Sequence, residues 1–417
     1  MKTSSRRIGW IILAGFVAAA MLPSLYLFDL LRRAQDALDG CRSDIASVTK
    51  DIPVRKSTRP AILGPAEAGN AWDLLRPALD AVGDLYPINP AGSSYSETSD
   101  PNLDWRGVPG ETPLLIEQAT PAMELCRRAL RRSELEWTWP MDPDLPAKTG
   151  RIGRALCTKA AYAWKAGRDS EAAEWLVVAL GVAQDAARLG QRGAWEVLCV
   201  VERWTIAEAR LLLAKHELTL QDLALFGRRL DVLRRARPSY GLALRICEAR
   251  LLEEILTGQA YVHQTDKDGG FDFVLLDKTA GWRDLYSKTI LRARVISGIR
   301  RGMHDIAAVD WKVPAVSRAE FDRIVTGLAE PESHLIAESN PVQMEEACLV
   351  RRSMFRAAVA FAQFQEEWGR FPTSAQEAGL PADLGHPLNI KEREIDGLSG
   401  GTIEMDLVWS IGRRTKD

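Results

Sequence analysis

Apolar positions along the chain follow three patterns in turn. From residue 8 to residue 28 they run without a charge, IGWIILAGFVAAAMLPSLYLF, and about 20 apolar residues in one helix are enough to cross a bilayer. Through most of the chain they then recur every three or four positions, the period of helices with one buried face. Near the end they alternate, with Ile403, Met405, Leu407, Trp409 and Ile411 against Glu404, Asp406 and Ser410, the two-residue period of a strand. The expected fold class is mainly α: an N-terminal transmembrane helix, an irregular helical body of αα-hairpins, and a small C-terminal α+β segment with a β-hairpin.

These patterns divide the sequence. Residues 1–7 are expected as a cytoplasmic N-terminus, 8–28 as the transmembrane helix, and 29–50 as an amphipathic stalk with Leu30, Leu31, Ala34, Ala37, Leu38, Cys41, Ile45 and Val48 on one stripe. Residues 51–148 hold helices over 70–82 and 113–131, the second kinked near Pro121. Between them lies a Pro-, Gly-, Ser- and Asn-rich loop over 86–113, of a length that is either functional or mobile.

Residues 149–338 form the helical body. Ile152, Leu156, Ala160 and Ala163 make one stripe, Gly167 a break, Ser170 a cap, and Ala172, Leu176, Ala179 and Ala183 the facing stripe of an antiparallel pair. Further helices are expected over 194–215, 220–236, 240–262, 282–305 and 318–329, with capping boxes at Thr219/Asp222 and Ser317/Glu320. Trp164, Trp175, Trp195 and Trp204 are expected to cement helix crossings.

Residues 339–417 begin with a long helix at Asn340-Pro341, with Met354, Ala358, Phe361 and Trp368 on its buried face and Gly369 at its end. A short helix over 373–378 and two strands, over 388–394 and 402–411, complete the tail.

Lys2, Arg6 and Arg7 precede the apolar run, which favours a cytoplasmic N-terminus and an outward-facing bulk; Arg32 and Arg33 beyond its far end pull the other way. The alternative is a cleavable secretory signal, with small residues at Val17-Ala18-Ala19-Ala20. The apolar run, however, continues through Leu22, Leu25, Tyr26 and Phe28, past the length of a signal core.

A net charge of −2 with 26% charged residues is that of an ordinary folded protein and carries no signature of nucleic-acid binding. The arginines at 228, 229, 234, 235 and 237, and at 292, 294, 300 and 301, are expected on solvated helix faces. Six cysteines, at 41, 126, 157, 199, 247 and 348, include no Cys-x-x-Cys pair, so zinc ribbons and thioredoxin-like motifs are unsupported. In an oxidising compartment paired cysteines are expected. Either some pair across helices, or they are buried and inert, or the body faces inward.

No phosphate loop, nucleophile elbow or His-Glu-x-x-His helix occurs, and the five histidines are isolated. The acidic run from His263 to Asp272 has Phe271 and Asp277 where a calcium loop needs other residues, and is expected as a polar turn between helices. Adjacent glutamates at 253/254, 345/346 and 366/367 point about 100° apart on a helix, and are expected as exposed charge. No catalytic, cofactor-binding or metal residue is assigned.

Two resemblances add to this. Leu156, Ala160, Gly167, Ala172, Leu176 and Ala179 have the spacing of one tetratricopeptide-like hairpin. The tail, with Ala357, Ala358, Phe361, Phe364, the Gly369-Arg370-Phe371-Pro372 turn and the Val408–Gly412 end, resembles the soluble part of a type II secretion pseudopilin. That family carries its membrane segment continuous with the long helix and a glutamate near its processing site; here the segment lies far upstream, and residues 7–11 hold no glutamate. The whole arrangement resembles single-pass membrane proteins of planctomycete-type bacteria, a likeness that implies no activity.

The expected role is a membrane-anchored helical scaffold or protein-interaction protein of the bacterial cell envelope. It is held in the inner membrane by residues 8–28 with its bulk extracytoplasmic, and takes a protein partner rather than nucleic acid. The alternatives are an envelope enzyme with a dispersed site and an accessory component of a secretion system.

Overall fold

The computed structural model describes most positions between 15 and 40, and residues 56–85, 112–137, 144–189, 192–214, 218–243, 314–327 and 341–380. It also describes the strands at 260–264, 271–275, 389–395, 398–404 and 408–412, and single positions near 245 and 302–309. Helix takes 77% of the described residues, so the class is mainly α. The chain falls into two compact units, one of residues 1–52, 247–309 and 319–339, the other of 53–246, 310–318 and 340–417.

The first unit opens with α1 (Gly15–Arg33), long and apolar enough to cross a membrane, and none of its apolar window is buried in protein. Phe16, Leu22, Leu25, Tyr26 and Phe28 all stand exposed. Arg33 pairs with Asp29 one turn back at 2.8 Å. The expected stalk is helical at the described positions up to residue 40; Cys41, Ile45 and Val48 lie outside the described residues.

The second unit opens with a sheet that the hydrophobic pattern does not announce. β1 (Lys56–Thr58), β2 (Glu67–Asn70) and β3 (Arg132–Glu136) pair in the order β1-β3-β2, with β3 antiparallel to β1 and parallel to β2. Strands as short and polar as KST, EAGN and RSELE carry no readable alternation, and a helices-only account of residues 51–148 is corrected here.

Two helices, α2 (Trp72–Leu85) and α3 (Thr112–Ala129), lie between these strands, and Pro77 and Pro121 sit inside them without ending them. Asn70 joins α2 to the sheet. Its Oδ1 accepts from the backbone N–H groups of Trp72 and Glu136, and its amide donates to Glu136 O. The long loop over 86–111 lies outside the described residues.

Four helices follow, α4 (Leu145–Lys165), α5 (Asp169–Arg188), α6 (Arg192–Ala214) and α7 (Leu220–Ala236). α4 starts ahead of the expected position because Pro146 occupies its first turn, where a missing N–H is harmless. Gly167 turns the chain at φ 71°. Ser170 does not cap α5, which starts a residue earlier with no side-chain cap; its hydroxyl bonds Asp222 at the start of α7 instead. Thr219 and Asp222 do form the expected capping box.

The α4–α5 crossing is built as its small residues suggest, with Leu156, Ala160, Ala172, Leu176 and Ala179 all buried. Trp175 and Trp195 are buried, while Trp164 and Trp204 are half-buried. Glu174 on α5 holds two neighbours at once, accepting from Arg127 of α3 at 2.5 Å and Arg229 of α7 at 2.9 Å.

At the α4–α6 crossing a Cβ on Gly153 would lie 2.6 Å from a Val201 methyl, closer than carbon atoms pack. Gly153→Ala is therefore expected to cost about 1–3 kcal/mol through overpacking, read as a lower urea midpoint, and Val201→Ala in the same chain should restore most of it. Equal losses with and without the second change would refute this contact.

In the first unit β4 (Ala260–Gln264) and β5 (Phe271–Leu275) form an antiparallel pair with His263 opposite Asp272. The helix expected over 240–262 is thus corrected at its end, where Tyr261 and Val262 join Phe273 and Val274 in a β-favouring set. The acidic run links strands, not helices; Asp266 and Asp268 lie outside the described residues, as do Glu253 and Glu254 and most of the helix expected over 282–305. Helix α8 (Pro314–Thr326) begins at a proline and places Ser317 inside it, so the expected box is not used. Glu320 accepts from Arg323 instead.

The second unit resumes with α9 (Pro341–Trp368), packed on α6 and α7. Phe355 meets Phe226 edge-on at 5.5 Å, and Arg356 donates to Asp231 at 2.9 Å. Met354, Ala358 and Phe361 are buried as expected, but Trp368, on the final turn, is 63% exposed and stacks on Phe364.

Beyond Gly369 (φ 68°) the expected short helix is a turn instead. The Glu377 carboxylate satisfies this turn by accepting from Arg370 and from the backbone N–H and hydroxyl of Thr373. Those bonds, Arg370 first, hold its carboxyl at about 2, down from 4.5. A carboxyl lowered in the folded state contributes fully above its unfolded value and loses that contribution as pH falls through the folded one. The stability gap between wild type and Glu377→Gln should therefore narrow on acidification from about 4.5 to about 2, followed by acid titration of unfolding midpoints. A gap that stays constant over that range would count against these bonds.

The tail ends in an antiparallel sheet, β6 (Asn389–Ile395), β7 (Leu398–Glu404) and β8 (Val408–Gly412). Two strands were expected from the alternation, but the second stretch folds back, pairing Glu404 with Val408. The first turn is also tighter than expected: only Asp396-Gly397 separates the paired Ile395 and Leu398, a favoured two-residue hairpin sequence.

Candidate functional site

Buried charge inside an apolar helical layer is costly unless paired, and the second unit holds a cluster of it where α6, α7 and α9 meet. Spacing brings the groups together. Cys199 and Glu202 are three residues apart on α6, and Glu345, Cys348 and Arg352 recur at three and four on α9, so each set shares one helix face. Arg237 arrives differently. Pro238 disfavours helix at the residue before it, and Arg237 leaves α7 in extended backbone (φ −65°, ψ 129°) and its side chain turns inward.

Its guanidinium is the centre of the cluster. Nε donates to Glu202 at 2.8 Å and Nη2 at 3.3 Å, while Nη1 donates to both oxygens of Glu345 at 2.8 Å and to Pro238 O at 3.1 Å. Nη2 also reaches Cys199 Sγ at 3.8 Å. Arg352 Nε donates to Cys348 O at 3.2 Å and lies 3.4 Å from Glu202, and its buried Nη2 finds no acceptor among the described residues. Two carboxylates against two guanidiniums leave the cluster formally neutral.

Burial alone would raise the Glu202 carboxyl, but Arg237 and Arg352, with hydrogen bonds from Arg237 and Cys348, outweigh it and hold Glu202 below the usual range. For Arg237 burial pushes down, yet Glu202 and Glu345 win and raise it well above an ordinary guanidinium. Arg352 is lowered by burial and by its neighbour Arg237. Burial and the adjacent Cys348 push the Cys199 thiol well up, only partly offset by Arg237. The Cys199 thiol is therefore protonated in the folded chain.

The Cys199 and Cys348 sulfurs and a Glu202 oxygen lie within 4.8 Å of one another, a donor set that in isolation would suit a thiophilic divalent ion. The arginines decide against a metal. Both Glu202 oxygens already accept from Arg237, which also touches Cys199, so a cation there would have to displace a fixed positive charge. Glu202 is likewise fully enclosed, which makes it a poor proton acceptor for an outside substrate.

A second buried pair joins the sheet to the helices. Arg59 donates to Asp185 through Nε at 2.7 Å and Nη2 at 2.6 Å, and also to Ala129 O, Arg132 O and Pro60 O. Cys126 nearby is raised by burial and by Asp185. Cys157, raised by burial to about 12, shares a hydrogen bond with Thr205 at 3.5 Å. The groove beside the α4–α5 crossing is lined by Ala160, Ala161, Trp164, Ala172, Leu176 and Leu212, with Glu208 as the one ionisable group in that lining. Convergent polar groups are what a small-molecule site requires, and this groove offers a single one.

Two expectations are corrected here. Glu345 is 5% exposed rather than solvated, and Arg237, expected on a solvated face, is buried against it. Arg228, Arg234 and Arg235 are exposed as expected and Arg229 is half-buried, while the arginines at 292, 294, 300 and 301 lie outside the described residues. Glu366 is half-buried and Glu367 exposed. Polar residues interrupting apolar stripes at helical spacing, together with an arginine placed before a proline, were the available signals. No protein-family model, curated protein or solved structure matches the chain.

Proposed function

We propose that the chain is a single-pass, membrane-anchored helical scaffold of the bacterial cell envelope, fixed in the inner membrane by residues 8–28 with its bulk extracytoplasmic, whose body engages a protein partner. The observation that supports this is α1, long and apolar enough to cross a membrane and with none of its window packed on protein. Exposed apolar area costs about 25 cal/mol per Å² in water, and lipid is the cover that a helix of this length fits. The cations at Lys2, Arg6 and Arg7 favour the stated orientation.

The test is fractionation and sidedness together. Full-length chain should stay in the membrane pellet after alkaline carbonate washing, and deletion of residues 8–28 should release it. A cysteine placed at exposed Arg228 should react with an impermeant maleimide in spheroplasts before lysis. A mature chain that has lost residues 8–28, or labelling that requires lysis, would overturn the proposal.

The tail supports a second reading, an accessory role in a secretion system. α9, the Gly369-Arg370-Phe371-Pro372 turn and the three-stranded sheet follow in the order of a pseudopilin's soluble part. Copurification with secretion components favours that reading, and their absence after cross-linking rejects it.

A further inference from the structure

Four described cysteines are buried and free, Cys126, Cys157, Cys199 and Cys348, but they are not equivalent. Cys157 is held by Thr205, and Cys126 lies on α3 near Asp185. Cys199 and Cys348 face each other from α6 and α9, with sulfurs inside 4.8 Å.

We propose that Cys199 and Cys348 form a redox pair that closes into an intramolecular disulfide, fastening α9 to α6 across the intervening residues 200–347. The step is a thiol–disulfide exchange with a disulfide donor, either a dithiol oxidoreductase in its disulfide form or a small disulfide. One cysteine thiolate attacks the donor, giving a mixed disulfide and releasing one donor thiol. The second cysteine then attacks the mixed disulfide, forming the Cys199–Cys348 bond and releasing the other. Two S–H bonds are lost, the protein gives up two electrons, and the donor is reduced to two thiols.

The surrounding charges suit this bond. Closing to about 2.05 Å removes two thiol hydrogens and no formal charge, so the cluster stays neutral. Cys348 loses its hydrogen bond to Glu202, yet Glu202 keeps those from Arg237. A metal, in contrast, would compete with Arg237 for Glu202 and Cys199. The thiolate that must form during exchange has Arg237 Nη2 at 3.8 Å from Cys199, and one turn beyond Cys348 on α9 stands Arg352, whose Nη2 finds no acceptor among the described residues.

Both thiols are enclosed, so exchange proceeds while α9 is lifted from α6, during folding or in mild denaturant. Once closed, the bond is shielded from reductant.

The experiment takes reduced full-length chain in detergent micelles through subdenaturing urea in glutathione buffers of graded redox ratio. It is then quenched by alkylation and mapped as peptides. The expected result is a peptide pair joining Cys199 to Cys348 while Cys126 and Cys157 are alkylated, with a urea midpoint that rises on oxidation of the wild type. Cys199→Ser should lose both the linked pair and the rise. Because wild type is compared with itself across the redox series, the outcome stands even if the variant folds poorly.

The proposal is overturned if both thiols stay alkylatable in the most oxidising buffer, if they pair instead with Cys41 or Cys247, or if zinc added to the reduced chain binds stoichiometrically and protects them. Pairing in cells rests on the extracytoplasmic placement proposed above, and the two fail separately. A bond that forms in micelles but is missing from chain trapped by acid in whole cells supports the pairing and overturns the placement.

Discussion

Arg237→Met is expected to destabilise the full-length chain by about 3–5 kcal/mol, the usual cost of stranding a buried charge. The substitution keeps the apolar stem, so what is lost is the guanidinium's charge and its hydrogen bonds. It leaves Glu202 and Glu345, both buried, facing each other with Arg352 as the remaining cation, and that group lies 3.4 Å from Glu202. Denaturant midpoints should fall accordingly, and hydrogen exchange should lose protection first along α9, which Arg237 ties to α6 through the two carboxylates. Adding Glu345→Gln should recover much of the loss, because Glu202 then faces Arg352 as a neutral pair and a neutral amide tolerates burial where an unpaired carboxylate does not. A single-variant loss under about 1 kcal/mol, the worth of an exposed pair, would mean that the cluster is far wetter than its geometry implies.

The elements that carry long apolar periodicity were legible in the sequence, and the buried polar contacts were not. α4, α5 and α9 stand where Leu156, Leu176 and Phe361 place their stripes, because one helix face can be read from local spacing alone. β1, β2 and β3 escaped notice because their pairing joins residues as far apart as Lys56 and Glu136 and buries little along each strand. The clustered charges were missed for a related reason. A glutamate or arginine on a helix is usually solvated, and nothing local distinguishes Glu345 from Glu367 until α6 is laid against α9. The local signal is the dipeptide: Arg59-Pro60 and Arg237-Pro238 both place an arginine just past the end of a strand or helix, where its side chain turns into the core. Arg76-Pro77 shows the limit of that rule, since it lies within α2 and its arginine is exposed.

Arg59→Met should match the first variant in size, about 3–5 kcal/mol, but fail in a different place. All five guanidinium donors are committed: two to Asp185, and the rest to the carbonyl oxygens of Ala129, Arg132 and Pro60. Removing them strands the Asp185 carboxylate, which is fully enclosed, with Arg188 at 4.0 Å as the nearest cation left. Arg188 is a poor substitute, because burial already lowers its own affinity for a proton. The freed carbonyls lie at the end of α3 and the start of β3, so hydrogen exchange should rise in β1 and β3 while α9 stays protected. Arg59→Lys separates charge from shape. An ammonium keeps the positive charge but offers a point where a fork is needed, so it should recover the Asp185 interaction only in part and leave the sheet edge loose. If the lysine variant proves as stable as wild type, charge alone holds the sheet to α5 and the carbonyl contacts are incidental. If both variants unfold with α9 first, the sheet and the cluster form one cooperative structure, and the separate roles argued for the two arginines collapse into one.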